Sequence, residues 1–171
     1  MKSIFKSVLW LCLLAAASNA FAQSDASKSA KTSGTIQVSQ IAQISDFDES
    51  TWARLVKSGP RPAAYLFTTS YCSSCPDAFE QLHKAVLHKA PTMPLTVVMM
   101  DVSGAQALRH ALHFQGLTQM YAFDGYAPAI RYSVDPAWPD VTPYIVLVDK
   151  QGHLQRSIGA PSAKALRAWL G

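Results

Sequence analysis

The sequence predicts an α/β domain: a central mixed β-sheet flanked by helices. Three observations carry that expectation. Ala63 to Thr68 and Pro94 to Val102 are short, continuous apolar runs of the kind that form strands covered on both faces. Between them, Phe79, Leu82, Val86 and Leu87 recur at helical spacing, which makes a strand, helix, strand unit and therefore a parallel crossover. Near the carboxyl end, Tyr144 to Val148, a turn at Asp149-Lys150-Gln151-Gly152, and His153 to Ile158 read as a hairpin, which adds antiparallel pairing.

Taken in order, Met1 to Ala22 has the three parts of a secretory signal: Lys2 and Lys6, an apolar stretch from Val8 to Ala17, and the small-x-small site Ala20-Phe21-Ala22. Residues 1–22 are expected to be a cleaved signal peptide, because the apolar stretch is shorter than the ~20 residues a membrane span needs. Residues 23–34, rich in Ser, Ala and Lys with no large apolar side chain, are expected to be a disordered linker. Residues 35–171 then form one domain, and a chain that is 49% apolar has the material for its own core. The net charge of +4 shrinks when the signal is set aside, and without a Lys/Arg run nucleic acid is not an expected partner.

Within the domain, Ile36, Val38, Ile41 and Ile44 mark a first strand over Thr35 to Ile44. Ser45 or Asp46 can cap a following helix that carries Phe47, Trp52, Leu55 and Val56 on one face and stops at Gly59-Pro60-Arg61-Pro62. Pro62 delivers the chain into the apolar strand from Ala63. The helix after that strand ends before Pro91. Ser103 can cap a further helix through Ala105, Leu108, Leu112 and Phe114 that Gly116 closes. A short strand is expected near Met120 to Phe123, and a short helix or turn near Pro128 to Tyr132. Ser162 to Leu170 finishes as a helix with Ala165, Leu166, Trp169 and Leu170 inward. The aromatic stretch Tyr126 to Trp138 is either core with a capping loop or an apolar lip for partner proteins.

The chemistry concentrates at Cys72-Ser73-Ser74-Cys75, where the first apolar strand hands over to a helix. Cys12 leaves with the signal, so Cys72 and Cys75 are the only thiols expected in the mature chain. A purely structural disulfide closes just four residues here and removes little chain entropy. A thiol-exchange centre instead uses the positive end and open amides of the helix to hold a thiolate. On that reading Cys72, outermost on the turn, is the nucleophile and Cys75 resolves the mixed disulfide. Ser73 and Ser74 are either thiolate-tuning hydroxyls or ordinary helix-cap residues.

The element order βαβαββα, with CxxC opening the helix after a central strand and Thr142-Pro143 just before a later one, resembles the thioredoxin fold over essentially all of Ile36 to Leu170. The extra stretch between Ser103 and Pro143, and the Thr-Pro then Val-Asp-x-x-Gly pattern of Thr142 to Gly152, look like the exported TlpA-like redoxins. That resemblance implies a cis Pro143 facing the cysteines. It also makes Tyr71, Thr142 and Pro143 substrate-binding residues, because a proline there leaves the backbone of Thr142 free to pair with an extended substrate. Tyr71 replaces the Trp many relatives carry, and Ser73-Ser74 replaces Gly-Pro. Leu66 stands where cytoplasmic thioredoxins have a buried, proton-moving Asp, so that proton path is missing from this position.

Pro76 stands where heme attachment through CxxCH requires His. His83, His88, His110, His113 and His153 are candidates to complete a metal site with the cysteines, His110 and His113 at i, i+3 on one helix, but no pattern sets a second close ligand pair beside the motif. No cofactor beyond a redox-active Cys72–Cys75 disulfide is expected, and no resident metal. The function expected is that of an exported, soluble, periplasmic thiol-disulfide oxidoreductase. Cysteine-containing exported proteins would be its substrates and a membrane-associated thiol protein its electron donor or acceptor. Reduction as the direction comes from the resemblance alone. The competing expectation is a copper or zinc carrier using the same two cysteines as ligands.

Overall fold

A computed structural model describes residues 43–171. The expected signal peptide, the linker and most of the strand expected over Thr35 to Ile44 lie outside them. The elements are β1 (Ser45–Phe47), α1 (Thr51–Ser58), β2 (Ala63–Thr68), α2 (Cys75–Lys89), β3 (Leu95–Met99), α3 (Gly104–His110) with a 3-10 turn (Ala111–His113), β4 (Gln119–Phe123), α4 (Ala127–Val134), β5 (Tyr144–Val148), β6 (Leu154–Ile158) and α5 (Ala163–Leu170). The strands form one mixed sheet in the order β1-β4-β3-β2-β5-β6.

β2 lies inside this sheet, parallel to β3 with Leu66 opposite Val97 and antiparallel to β5 with Leu66 opposite Ile145. All six of its residues are buried. The alternation of a strand explains why an unbroken apolar run is needed. Ala64 and Leu66 join a core with Phe79 and Leu82 of α2, Ala107 of α3 and Trp169 of α5. Ala63, Tyr65 and Phe67 join a second core with Trp52 of α1 and with Ile130 and Val134 of α4. Helices on both sides of one sheet give three layers, and the arrangement is thioredoxin-like.

Several local expectations are corrected. Ser45 and Asp46 do not cap a helix; they belong to β1, which pairs with β4 and buries Phe47 completely. The start of α1 is organised by Asp48, whose carboxylate accepts from the amides of Ser50 and Thr51 and from both their hydroxyls at 2.8–2.9 Å. In the segment after β3 the buried residues are Ala107, Ala111 and Phe114, while Leu108 and Leu112 face solvent, as does Leu87 on α2. Both sets of residues have helical spacing, and the face that packs is the one carrying Phe114, which meets Phe79 of α2 edge to face. Trp138 belongs to the core too. It stacks on Tyr144 at 4.2 Å between ring centroids and donates its indole N–H to the Val141 carbonyl. An apolar lip therefore cannot include it, and Tyr126 and Tyr132 remain as the exposed aromatics of that stretch.

Candidate functional site

The turn that carries the cysteines begins where β2 stops pairing. The Thr68 carbonyl accepts from Met100 N–H at 2.9 Å, which holds the end of β2 against the end of β3. One residue on, Asp101 reaches across: its two carboxylate oxygens accept the Ser70 amide at 2.9 and 3.0 Å, and one also accepts the Ser70 hydroxyl at 2.6 Å. The loop is thus clamped just before Tyr71-Cys72 by charge-assisted hydrogen bonds. Cys72 N–H donates to the Thr69 carbonyl and Cys75 N–H to the Cys72 carbonyl, two successive tight turns that lead into α2.

Cys72 and Cys75 are joined by a disulfide with 5.5 Å between Cα atoms. The two sulfur-bearing residues are unequal. Cys75 opens α2 and is buried against Leu66 and Phe79, whereas Cys72 is half-buried and adjoins the open surface. Pro76 occupies the first turn of α2, where a missing N–H breaks no helical bond, and Cys75 is helical in spite of preceding a proline. Ser74 sits at the N-cap position without a side-chain capping bond; its hydroxyl lies 3.9 Å from Cys72 Sγ. Ser73 is exposed, and Tyr71 is exposed to 79%.

The Thr142–Pro143 peptide is cis, as is Arg61–Pro62, which nothing in the sequence had suggested. Tyr144 pairs with Phe67, so the start of β5 and the end of β2 lie at the same edge of the sheet, and Thr142-Pro143 is brought to the edge from which the cysteine turn departs. Pro143 is buried, and its carbonyl accepts Gly159 N–H at 2.8 Å. Behind it, Tyr144 donates its hydroxyl to Asp135, which Arg156 approaches at 3.5 Å. Burial and this hydrogen bond push the Tyr144 hydroxyl far up, and the same bond holds the Asp135 carboxyl below its usual range.

Beside Cys72 lies an open cavity of about 300 Å³. One wall is the cysteine turn from Thr69 to Ser73; the other carries His110, His113 and Phe114. The sequence placed the two histidines on one helix but gave no sign that they would share a cavity with a cysteine. Asp101 was missed as well, and its only signal was an acidic residue at the end of an apolar run. Thr69 Oγ1 is buried there without a partner. Among the described residues, no three His, Cys, Asp or Glu side chains are grouped as metal ligands, and no helix is long and apolar enough to cross a membrane.

No protein-family model and no curated protein sequence matches the chain. Solved structures similar to it include a secreted disulfide oxidoreductase of Mycobacterium tuberculosis, at 17% identity over 64% of this chain and 80% of that one with a TM-score of 0.46. A thio-disulfide isomerase of Thermus thermophilus is similar at 19% identity over 66% and 79% of the two chains, TM-score 0.47. StoA of Bacillus subtilis is similar at 17% identity over 65% and 83%, TM-score 0.41.

Proposed function

We propose that the chain is an exported thiol-disulfide oxidoreductase that reduces protein disulfides by dithiol exchange through Cys72 and Cys75. The observation that carries this reading is the inequality of the bonded pair, one cysteine half-exposed on a clamped turn and the other buried at the start of a 15-residue helix. The half-exposed sulfur is accessible to a substrate disulfide. The buried one is closed to solvent by the core and bonded to its partner sulfur. In the reduced protein, the Cys72 thiolate attacks a substrate disulfide and forms a mixed disulfide; Cys75 then attacks Cys72 Sγ, releases the substrate as a dithiol and leaves the bonded pair.

The end of α2 stabilises the attacking thiolate through its macrodipole and open amides. Ser74, with its hydroxyl 3.9 Å from the sulfur, is the better placed of the two serines to tune it. Tyr71 offers an exposed aromatic surface beside the nucleophile. Thr142, ahead of a proline that has no N–H to offer, supplies backbone for pairing with an extended substrate. The substrates on this reading are exported proteins with cysteines, and a membrane-associated dithiol protein regenerates the reduced pair.

The test uses the purified chain, reduced and freed of reductant, mixed with a disulfide-bonded protein. Wild-type chain should convert that disulfide to thiols one for one, and Cys72→Ser should not. The reduction potential assigns direction: a value near or below about −270 mV supports a reductant, and one closer to −120 mV makes the protein an oxidant. Stoichiometric retention of copper or zinc by a chain that exchanges no disulfides would instead support a metal carrier.

A further inference from the structure

If Cys72 is an exchange nucleophile, something must take its proton, and β2 carries no acid that could do so: its residues are Ala63 to Thr68, with Leu66 fully buried among apolar neighbours. The titratable side chains lining the Cys72 cavity are Tyr71, Cys72 itself, His110 and His113. Asp101 faces the Ser70 side of the turn and spends both oxygens there. Of these groups, imidazole is the one that can accept a proton on one ring nitrogen and hand a proton back, the chemistry of a general base that then acts as an acid.

The histidines are held in place by their neighbours. α3 tightens into a 3-10 turn after His110, and in that geometry residues three apart come onto the same side. The ring centroids of His110 and His113 are 5.9 Å apart. Between and after them, Ala111 and Phe114 are buried, and Phe114 meets Phe79 of α2 edge to face at 5.3 Å. The turn that carries the imidazoles is therefore packed against the helix that begins at Cys75.

We propose that His110 and His113 form the proton relay of Cys72, an inference that rests on the oxidoreductase reading above. An imidazole takes the thiol proton as Cys72 becomes a thiolate, and the resulting imidazolium stabilises that charge across the cavity. The thiolate attacks one sulfur of the substrate disulfide: the Cys72–substrate bond forms, the substrate S–S bond breaks, and the electron pair leaves on the second substrate sulfur. The imidazolium returns its proton to that sulfur. Cys75 then attacks Cys72 Sγ: the Cys72–Cys75 bond forms, the Cys72–substrate bond breaks, the electron pair leaves on the first substrate sulfur, and the proton that Cys75 gives up ends on that sulfur. Two electrons and two protons have then passed to the substrate, and the protein is left as its disulfide, to be reduced again by an external dithiol.

The test is stopped-flow reaction of the fully reduced chain with bis(2-hydroxyethyl) disulfide, an uncharged probe, from about pH 6 to about pH 9.5. The proteins are wild type, His110→Gln, His113→Gln, the double variant, and Leu112→Gln, a control on the exposed residue between the histidines. The double variant should react about tenfold slower or worse near pH 6.5. The gap should close above about pH 9, where a free thiol is ionised without help. The thiolate absorbance of Cys72 should titrate at higher pH in the double variant, and Leu112→Gln should follow wild type throughout. An unchanged rate, or a loss equal at every pH with an unmoved thiolate titration, overturns the relay. A wild-type chain that exchanges at no pH overturns the oxidoreductase reading itself.

Discussion

At the scale of single residues, two carboxylates do local work that their surroundings define. Asp101 accepts three hydrogen bonds from Ser70 across 31 residues of sequence, and it is the main polar tie between β3 and the cysteine turn. Removing it with Asp101→Ala should lower the unfolding free energy by about 1–3 kcal/mol, measured by urea titration, because the Ser70 amide loses a charged acceptor. Asp48 binds closer in sequence, and the hydrogen bonds from Ser50 and Thr51 draw its pKa from 3.8 down to about 2. A depressed folded-state pKa gives stability that is complete above the ordinary value and is lost as pH falls through the folded one. The stability gap between wild type and Asp48→Asn should therefore hold above about pH 4 and vanish towards about pH 2, read as unfolding midpoints across an acid series.

At the scale of elements, burial decides what composition alone leaves open. β2, β3 and β5 were legible as sequence because strands covered on both faces must be apolar throughout, and all three are buried end to end. The CxxC turn and the Thr142-Pro143 step were legible for a different reason, since each combines residues with few other uses. β1 was missed because three residues are too few to show alternation, and its capping-type residues Ser45 and Asp46 are edge positions. The helix expected through Ala105, Leu108, Leu112 and Phe114 keeps only Phe114 of these in the core, because Ala107, Ala111 and Phe114 share helical spacing as well and it is their face that packs, with Phe114 against Phe79. The His110–His113 cavity was invisible because it depends on where α3 docks, which no local pattern encodes. Trp138 makes the point quantitatively. It is buried and stacked, so Trp138→Ala should cost about 3–5 kcal/mol, whereas Tyr126→Ala, on an exposed ring, should fall within about 0.5 kcal/mol of wild type in the same denaturant measurement.

At the scale of the whole molecule, stability and reactivity are separated. Two apolar layers on either side of the sheet make the core, and the disulfide spans four residues at its rim. By loop-closure entropy so small a ring contributes about 2 kcal/mol at most. Reduction should leave far-ultraviolet circular dichroism unchanged and shift the urea midpoint only slightly, which is what a protein that cycles between the two states requires. The central claim, that Cys72 attacks and Cys75 resolves, is tested most directly by trapping. The reduced Cys75→Ser chain is incubated with a disulfide-bonded protein and the products are analysed by intact-mass and peptide mass spectrometry. The account predicts a stable one-to-one mixed disulfide through Cys72, absent from wild type and from the Cys72→Ser, Cys75→Ser double variant. No adduct at Cys72 under conditions in which a small dithiol reacts with the same substrate would contradict it.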